Sequence, residues 1–111
     1  MDIQQREQDD VTILLLSGKI IGGPDASKVN DKLHELAENG KTKIVADLSQ
    51  VNWMNSSGLG ILISALTTVR NAGGELKVAA ATDKIRNLLT ITKLTNVIKL
   101  YDSVDEAIAG F

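Results

Sequence analysis

The chain has no cysteine, a single histidine and only three aromatic residues, Trp53, Tyr101 and Phe111, among its 111 residues. The missing thiols exclude disulfide bonds and thiolate metal sites, and they fit a reducing compartment. So few rings offer no surface on which nucleic-acid bases could stack. The single imidazole, His34, falls mid-helix among charged neighbours. With no His-x-x-x-His pair and no ordered serine and acid partners around it, it is not expected to be a ligand or a catalytic base. Charge of one sign is also lacking: twelve Lys and Arg stand against fourteen Asp and Glu, for a formal net charge of −2, and the basic residues are scattered. That argues against direct nucleic-acid binding and against an anionic membrane surface. No apolar run approaches the roughly 20 residues of a bilayer span, and no basic segment precedes a long apolar one. No membrane insertion is expected, and the reading is a soluble cytoplasmic protein.

Chemistry that needs converging groups is scarce. Asp9-Asp10 and the set Asp102, Asp105 and Glu106 fall on a hairpin turn and a terminal helix, where solvated charge explains them. The glycines of Gly18 to Gly23 and of Gly58-Leu59-Gly60 lack both the Walker lysine and the three-glycine dinucleotide spacing. No metal, no redox cofactor and no enzymatic activity are expected.

What is present is an aliphatic pattern that suits one α/β domain over residues 1–111. Ile3 to Glu7 and Val11 to Ser17 flank the acidic turn Gln8-Asp9-Asp10 and read as an antiparallel hairpin, with Lys19-Ile20-Ile21 prolonging the second strand. Pro24 pre-sets a first helical residue, or Asp25 caps that turn. Ala26, Val29, Leu33, Leu36 and Ala37 then form one stripe of an amphipathic helix that Asn39-Gly40 ends. Ile44 to Leu48 is a strand covered on both faces, and Leu59, Leu62, Ile63, Leu66 and Val69 recur at helical spacing up to a glycine cap at Gly73-Gly74. Glu75 to Ala80 follows as a strand, then a helix capped by Thr82 or Asp83 with Ile85, Leu88 and Leu89 inward. A short strand near Val97 to Tyr101 and a last helix over Val104 to Ala109, started by Asp102 or Ser103, complete the chain. Alternating strands and helices predict a mixed sheet of four or five strands with about four helices, its first hairpin antiparallel and the rest mostly parallel. Ile13, Leu15, Ile44, Val45, Leu48, Leu62, Leu66, Val78, Leu88 and Leu89 are the expected core.

The chemistry that can be argued lies between Asp47 and Gly60, where a buried strand ends, a polar turn follows and a helix begins. Asn55 and Ser56 are both good N-cap residues, while Gly58 and Gly60 reduce the bulk around them. Ser56 either caps the helix or offers a hydroxyl for modification. Phosphate there would add roughly −1.5 to −2 charges at a positive helix end. Asp47 is read as holding the following turn through backbone N–H groups, and Trp53 as a packed turn residue.

The run Asp47-Leu48-Ser49-x-Val51-x-x-Met54-Asn55-Ser56-Ser57-Gly58-Leu59-Gly60 closely resembles the signature of STAS domains, in particular the single-domain bacterial anti-sigma factor antagonists. The likeness extends to the two N-terminal strands ending at Gly18, the helix near residues 25 to 38, Gly73-Gly74-Glu75-Leu76, and Ile85-Arg86-Asn87-Leu88-Leu89 through Thr92-Lys93-Leu94. The resemblance implies a protein that binds a serine-kinase anti-sigma factor until that kinase phosphorylates it. It places the acceptor at Ser56, with Ser57 as second choice, and a partner surface at Asn55, Ser56, Ser57, Gly58, Gly22, Gly23 and Asp25; Asp47, Trp53 and Gly60 would support it structurally. A homodimer is left open. Two positions depart from the family: Asn55 and Ile21 stand where an Asp is common, which removes carboxylates from the site. The alternative implied by the resemblance is an unswitched STAS interaction module of a stress-sensing scaffold or of a lipid or anion transport system.

Overall fold

The computed structural model describes every residue from Met1 to Phe111. In chain order it contains β1 (Asp2–Gln8), β2 (Val11–Ile20), α1 (Pro24–Glu38), β3 (Lys43–Met54), α2 (Ser56–Asn71), β4 (Glu75–Ala79), α3 (Asp83–Ile91), a 3-10 turn at Leu94–Asn96, β5 (Leu100–Tyr101) and α4 (Val104–Ala109). The strands form one sheet in the order β1-β2-β3-β4-β5. Only β1 and β2 are antiparallel, joined through Asp9 and Asp10, whose φ angles of 53° and 66° make the primed two-residue turn that matches strand twist. The other pairings are parallel, and a helix connects each pair. This is the mixed α/β architecture the pattern predicts. The last strand is shorter than expected, because Leu94–Asn96 takes a 3-10 turn and leaves only Leu100–Tyr101 paired to β4.

Each sheet face has its own core. The larger cluster, 24 buried residues, collects Val29, Leu33 and Leu36 of α1, the buried face of α2, Ile85 and Leu89 of α3, and Leu14, Leu16, Ile44, Leu48 and Val78 from the strands. The smaller one joins Val11, Ile13, Val45 and Ala79 to Ala107 of α4. Eight of the ten expected core residues are buried; Leu15 and Leu88 are only half-buried. Leu15 follows Val11 and Ile13 in alternation on the face that α4 covers, and a six-residue helix is too short to reach it. Leu88 lies at the rim of a cleft described below. In α1 the stripe narrows, with Ala26 exposed and Ala37 half-buried.

The largest departure from the sequence reading is β3. It runs through the expected turn to Met54, a strand of twelve residues. Its pairing with β4 stops at Asp47 opposite Ala79, but its pairing with β2 continues through register shifts between Leu15 and Ser17 and between Gly18 and Lys19. Each shift inserts one extra residue on the β3 side, from Asp47 to Gln50 and from Val51 to Trp53. Two such bulges space the inward residues Leu48, Val51 and Met54 three apart, so the alternation that marks a strand is lost.

Two lysines lie over all three aromatic rings. Lys77, 3% exposed, holds its ammonium 4.0 Å from the Phe111 ring centroid and 5.1 Å from that of Tyr101, and Lys84 stands 4.5 Å from Trp53. The rings act as cation platforms, which is a use for aromatics outside the aliphatic core.

At the hairpin, Lys41 hydrogen-bonds the Glu7 carboxylate at 2.9 Å, Gln5 donates to it, and buried Thr12 donates at 3.0 Å. These contacts, Lys41 first, hold the Glu7 carboxyl below its ordinary value. A depressed carboxyl stabilises the fold above the unfolded-state pKa and loses that contribution as pH falls through the folded one. Because the pair is solvent-screened, Glu7→Gln is expected to be less stable than wild type by well under about 1 kcal/mol at neutral pH, a difference that urea unfolding should show vanishing as pH falls below the ordinary glutamate range.

Candidate functional site

The ends of β2 and β3 and the starts of α1 and α2 meet at one edge of the fold. Asn55 occupies the N-cap of α2 with extended backbone, φ −106° and ψ −174°, and its Oδ1 accepts the Gly58 N–H at 2.9 Å. Its Nδ2 donates to the Ile21 carbonyl at 3.3 Å. The one amide therefore caps α2 and ties it to the β2–α1 loop, a pair of bonds that a carboxylate could make only in part. Ser56 is the first helical residue and exposed, and the capping bond does not use its hydroxyl. Between the two candidate caps, the structure decides for Asn55. Asn55→Ala is accordingly expected to cost about 1–2 kcal/mol, whereas Ser56→Ala should stay within about 0.5 kcal/mol, in thermal or urea unfolding.

Glycine lets the two loops touch. A Cβ at Gly58 would lie 2.0 Å from the Ile20 carbonyl oxygen and 2.8 Å from Met54 Cγ, so α2 starts directly on the end of β2. At Gly22, φ is +95° and a Cβ would meet Ser57 Cβ at 2.8 Å. Gly22 and Gly58 are both buried, and what the structure shows of them is the close approach of the two loops. Around a Cβ at Gly60 there is open space; this glycine permits no close approach. Asp25 sits beyond Gly23, the N-cap of α1, which has no side-chain capping bond. One Asp25 oxygen accepts the Ile21 N–H at 3.4 Å and the other lies 3.7 Å from the Met1 ammonium. The single carboxylate among the candidate partner residues is thus already paired.

The structure brings together Ser56, Ser57, Asn55, Gly58, Gly22, Gly23 and Asp25, and leaves Asp47 out. Asp47 is the fifth residue of β3, seven residues before Met54, or roughly 20 Å at the rise of a strand. It does not end the strand; its Oδ1 accepts the Ser49 N–H at 2.9 Å at the first bulge. Trp53 is 43% exposed beside Lys84 rather than packed inside. Two features escaped sequence reading: the Ile21 carbonyl as the anchor for Asn55, and an open groove of about 550 Å³ between α1 and α2, lined by Ala26, Asn30, Ser57, Gly60 and Ser64 among others. Both arise between segments far apart in the chain, and only the stripes of the two helices hint at the second.

The arrangement provides an exposed hydroxyl at the positive end of a 16-residue helix, with its cap supplied by a neighbour. It provides no base for that hydroxyl, and no group of three His, Cys, Asp or Glu side chains is placed to hold a metal. No helix is long and apolar enough to cross a membrane.

The family model described as the STAS domain matches residues 2–107. The chain is similar to the anti-sigma-B factor antagonist of Bacillus subtilis, 30% identical over 103 residues that cover 90% of this chain and 88% of that protein. Against two Thermotoga relatives, 31% and 30% identical, the matched segment spans only 66% and 65% of their length. Among solved structures, a candidate anti-sigma factor antagonist from Thermotoga maritima superposes with a TM-score of 0.86 at 26% identity, covering 97% of this chain and 92% of that one. The Bacillus cell fate determinant SpoIIAA in its phosphorylated form shares the fold, with a TM-score of 0.71 at 16% identity and 97% of each chain covered.

Proposed function

The chain belongs to the STAS domain family, within the anti-sigma factor antagonists, and from that premise we propose that it binds a serine-kinase anti-sigma factor and is switched off by phosphorylation at Ser56. In this reading it is a regulatory protein of the cytoplasm that catalyses nothing itself. The kinase brings ATP, transfers the γ-phosphoryl group to Ser56 Oγ, and the serine proton leaves to a base on the kinase.

The observation that carries the proposal is the division of labour between Asn55 and Ser56. Because Asn55 Oδ1 caps α2, the exposed Ser56 hydroxyl can take a phosphate without uncapping the helix. The phosphate meets free N–H groups and the positive end of the helix, and Asp25 is neutralised by the Met1 ammonium. What changes is the face offered to a partner, by roughly −1.5 to −2 charges. Ser57 is the weaker acceptor, since its Cβ stacks against Gly22.

Incubation with ATP and the cognate anti-sigma kinase, followed by mass spectrometry, tests the reading. One phosphate on Ser56 is expected, abolished in Ser56→Ala while partner binding persists. Phosphate on Ser57 would move the acceptor; no phosphate at all would defeat the switch.

A further inference from the structure

The same end of the fold carries a second surface, and we infer that it is a docking cleft for an acidic segment of the protein partner that inserts one apolar side chain. Trp53 and Met54 at the end of β3 and Lys84, Ile85, Leu88 and Ile91 of α3 enclose an open cleft of about 240 Å³. That is below the roughly 300–1,000 Å³ of small-molecule sites and suits one or two side chains. Ile91 is 77% exposed and Trp53 43%, so two large apolar side chains that water should disfavour share one depression. Trp is also the residue type most enriched among interface anchors.

The rim selects the charge of the occupant. Lys84 covers the Trp53 ring from 4.5 Å, and exposed Lys19 stands opposite Trp53 in the β2–β3 register. Neither lysine takes part in any of the six ion pairs of the fold. Arg86 is engaged by Asp102 at 2.7 Å, which leaves Asp83, in the first turn of α3, as the acid next to Lys84. Two free cations against one carboxylate favour an acidic partner and repel a basic one. A carboxylate arriving over the cleft would meet the accessible ammonium of Lys84 while its apolar neighbour filled the space against Trp53. Trp53 precedes Ser56 by three residues, which limits their Cα separation to about 11 Å, so both lie within reach of a single docked protein. The inference rests on the proposed function for which protein the partner is; the chemistry of the cleft does not.

Trp53 is the only tryptophan, so its fluorescence reports occupancy directly. The probe is a synthetic twelve-residue peptide with Glu and Leu at helical spacing, compared with its counterpart carrying Lys for every Glu. The acidic peptide is expected to give a saturable blue shift and to bind at least tenfold more tightly than the basic one, with Lys84→Glu and Ile91→Ser each weakening it about tenfold. An equal response to both peptides, no response to either, or indifference to both substitutions would overturn the cleft. With the kinase, Ile91→Ser should raise the KM for Ser56 phosphorylation and leave kcat unchanged. A wild-type protein that answers the acidic peptide but is never phosphorylated would end the Ser56 reading and leave the cleft standing. The reverse result would end the cleft alone.

Discussion

Gly58→Ala is expected to destabilise the fold by about 3 kcal/mol, the upper end for overpacking a buried site, and to lower the melting temperature by more than roughly 10 °C. The added methyl would lie 2.0 Å from the Ile20 carbonyl oxygen, a backbone atom, and 2.8 Å from Met54 Cγ. A flexible side chain could move aside; the end of β2 cannot without releasing the register that places Ile20 opposite Met54. The start of α2 would have to lift, and the Asn55 bonds to Gly58 and Ile21 would stretch with it. The control is two residues away. Gly60→Ala enters open space in a helix interior and should stabilise by up to about 1 kcal/mol through helix propensity alone. Equal effects of the two substitutions in urea unfolding would refute the close approach of α2 to β2.

Ser56→Asp is expected to keep the fold and to weaken binding of the anti-sigma partner by roughly 1–3 kcal/mol, about 5- to 150-fold. At the first position of α2 an acidic side chain is favoured by the helix dipole, so stability should hold or rise slightly. The loss is confined to the surface. A docked partner must desolvate the new charge, and the Met1 ammonium at this edge is already paired with Asp25. True phosphorylation adds more charge than Asp and should weaken the complex further. Asn55→Asp separates recognition from repulsion. It keeps an oxygen to cap Gly58 but loses the donor to the Ile21 carbonyl, so a faster phosphorylation rate despite looser tethering would show that a kinase prefers the family's aspartate. Titrations in which phosphorylated protein and Ser56→Asp bind as tightly as wild type would favour the unswitched interaction module instead.

Legible from the order of residues alone were the α/β succession, the hairpin at Asp9-Asp10, the stripes of α1 and α3, and the motif that carries Ser56. Those are local properties: residue spacing sets which face is apolar, and turn chemistry sets where an element stops. Where two local solutions were equally good, the sequence left the choice open. Asn55 and Ser56 can each cap a helix, and the decision fell to Asn55 because its amide also reaches the Ile21 carbonyl, 34 residues away in the chain. Gly58 and Gly60 are the same residue in the same turn, and only the neighbouring β2 makes the first indispensable and leaves the second free. The length of β3 was hidden because two bulges replaced a spacing of two with a spacing of three, and bulges follow from pairing with β2. Exposure of Leu15 was decided by the reach of α4, and the role of Trp53 by where α3 set Lys84 and Ile91. In each case the deciding contact joins residues distant in sequence, and no periodicity along the chain records which distant atoms will be neighbours.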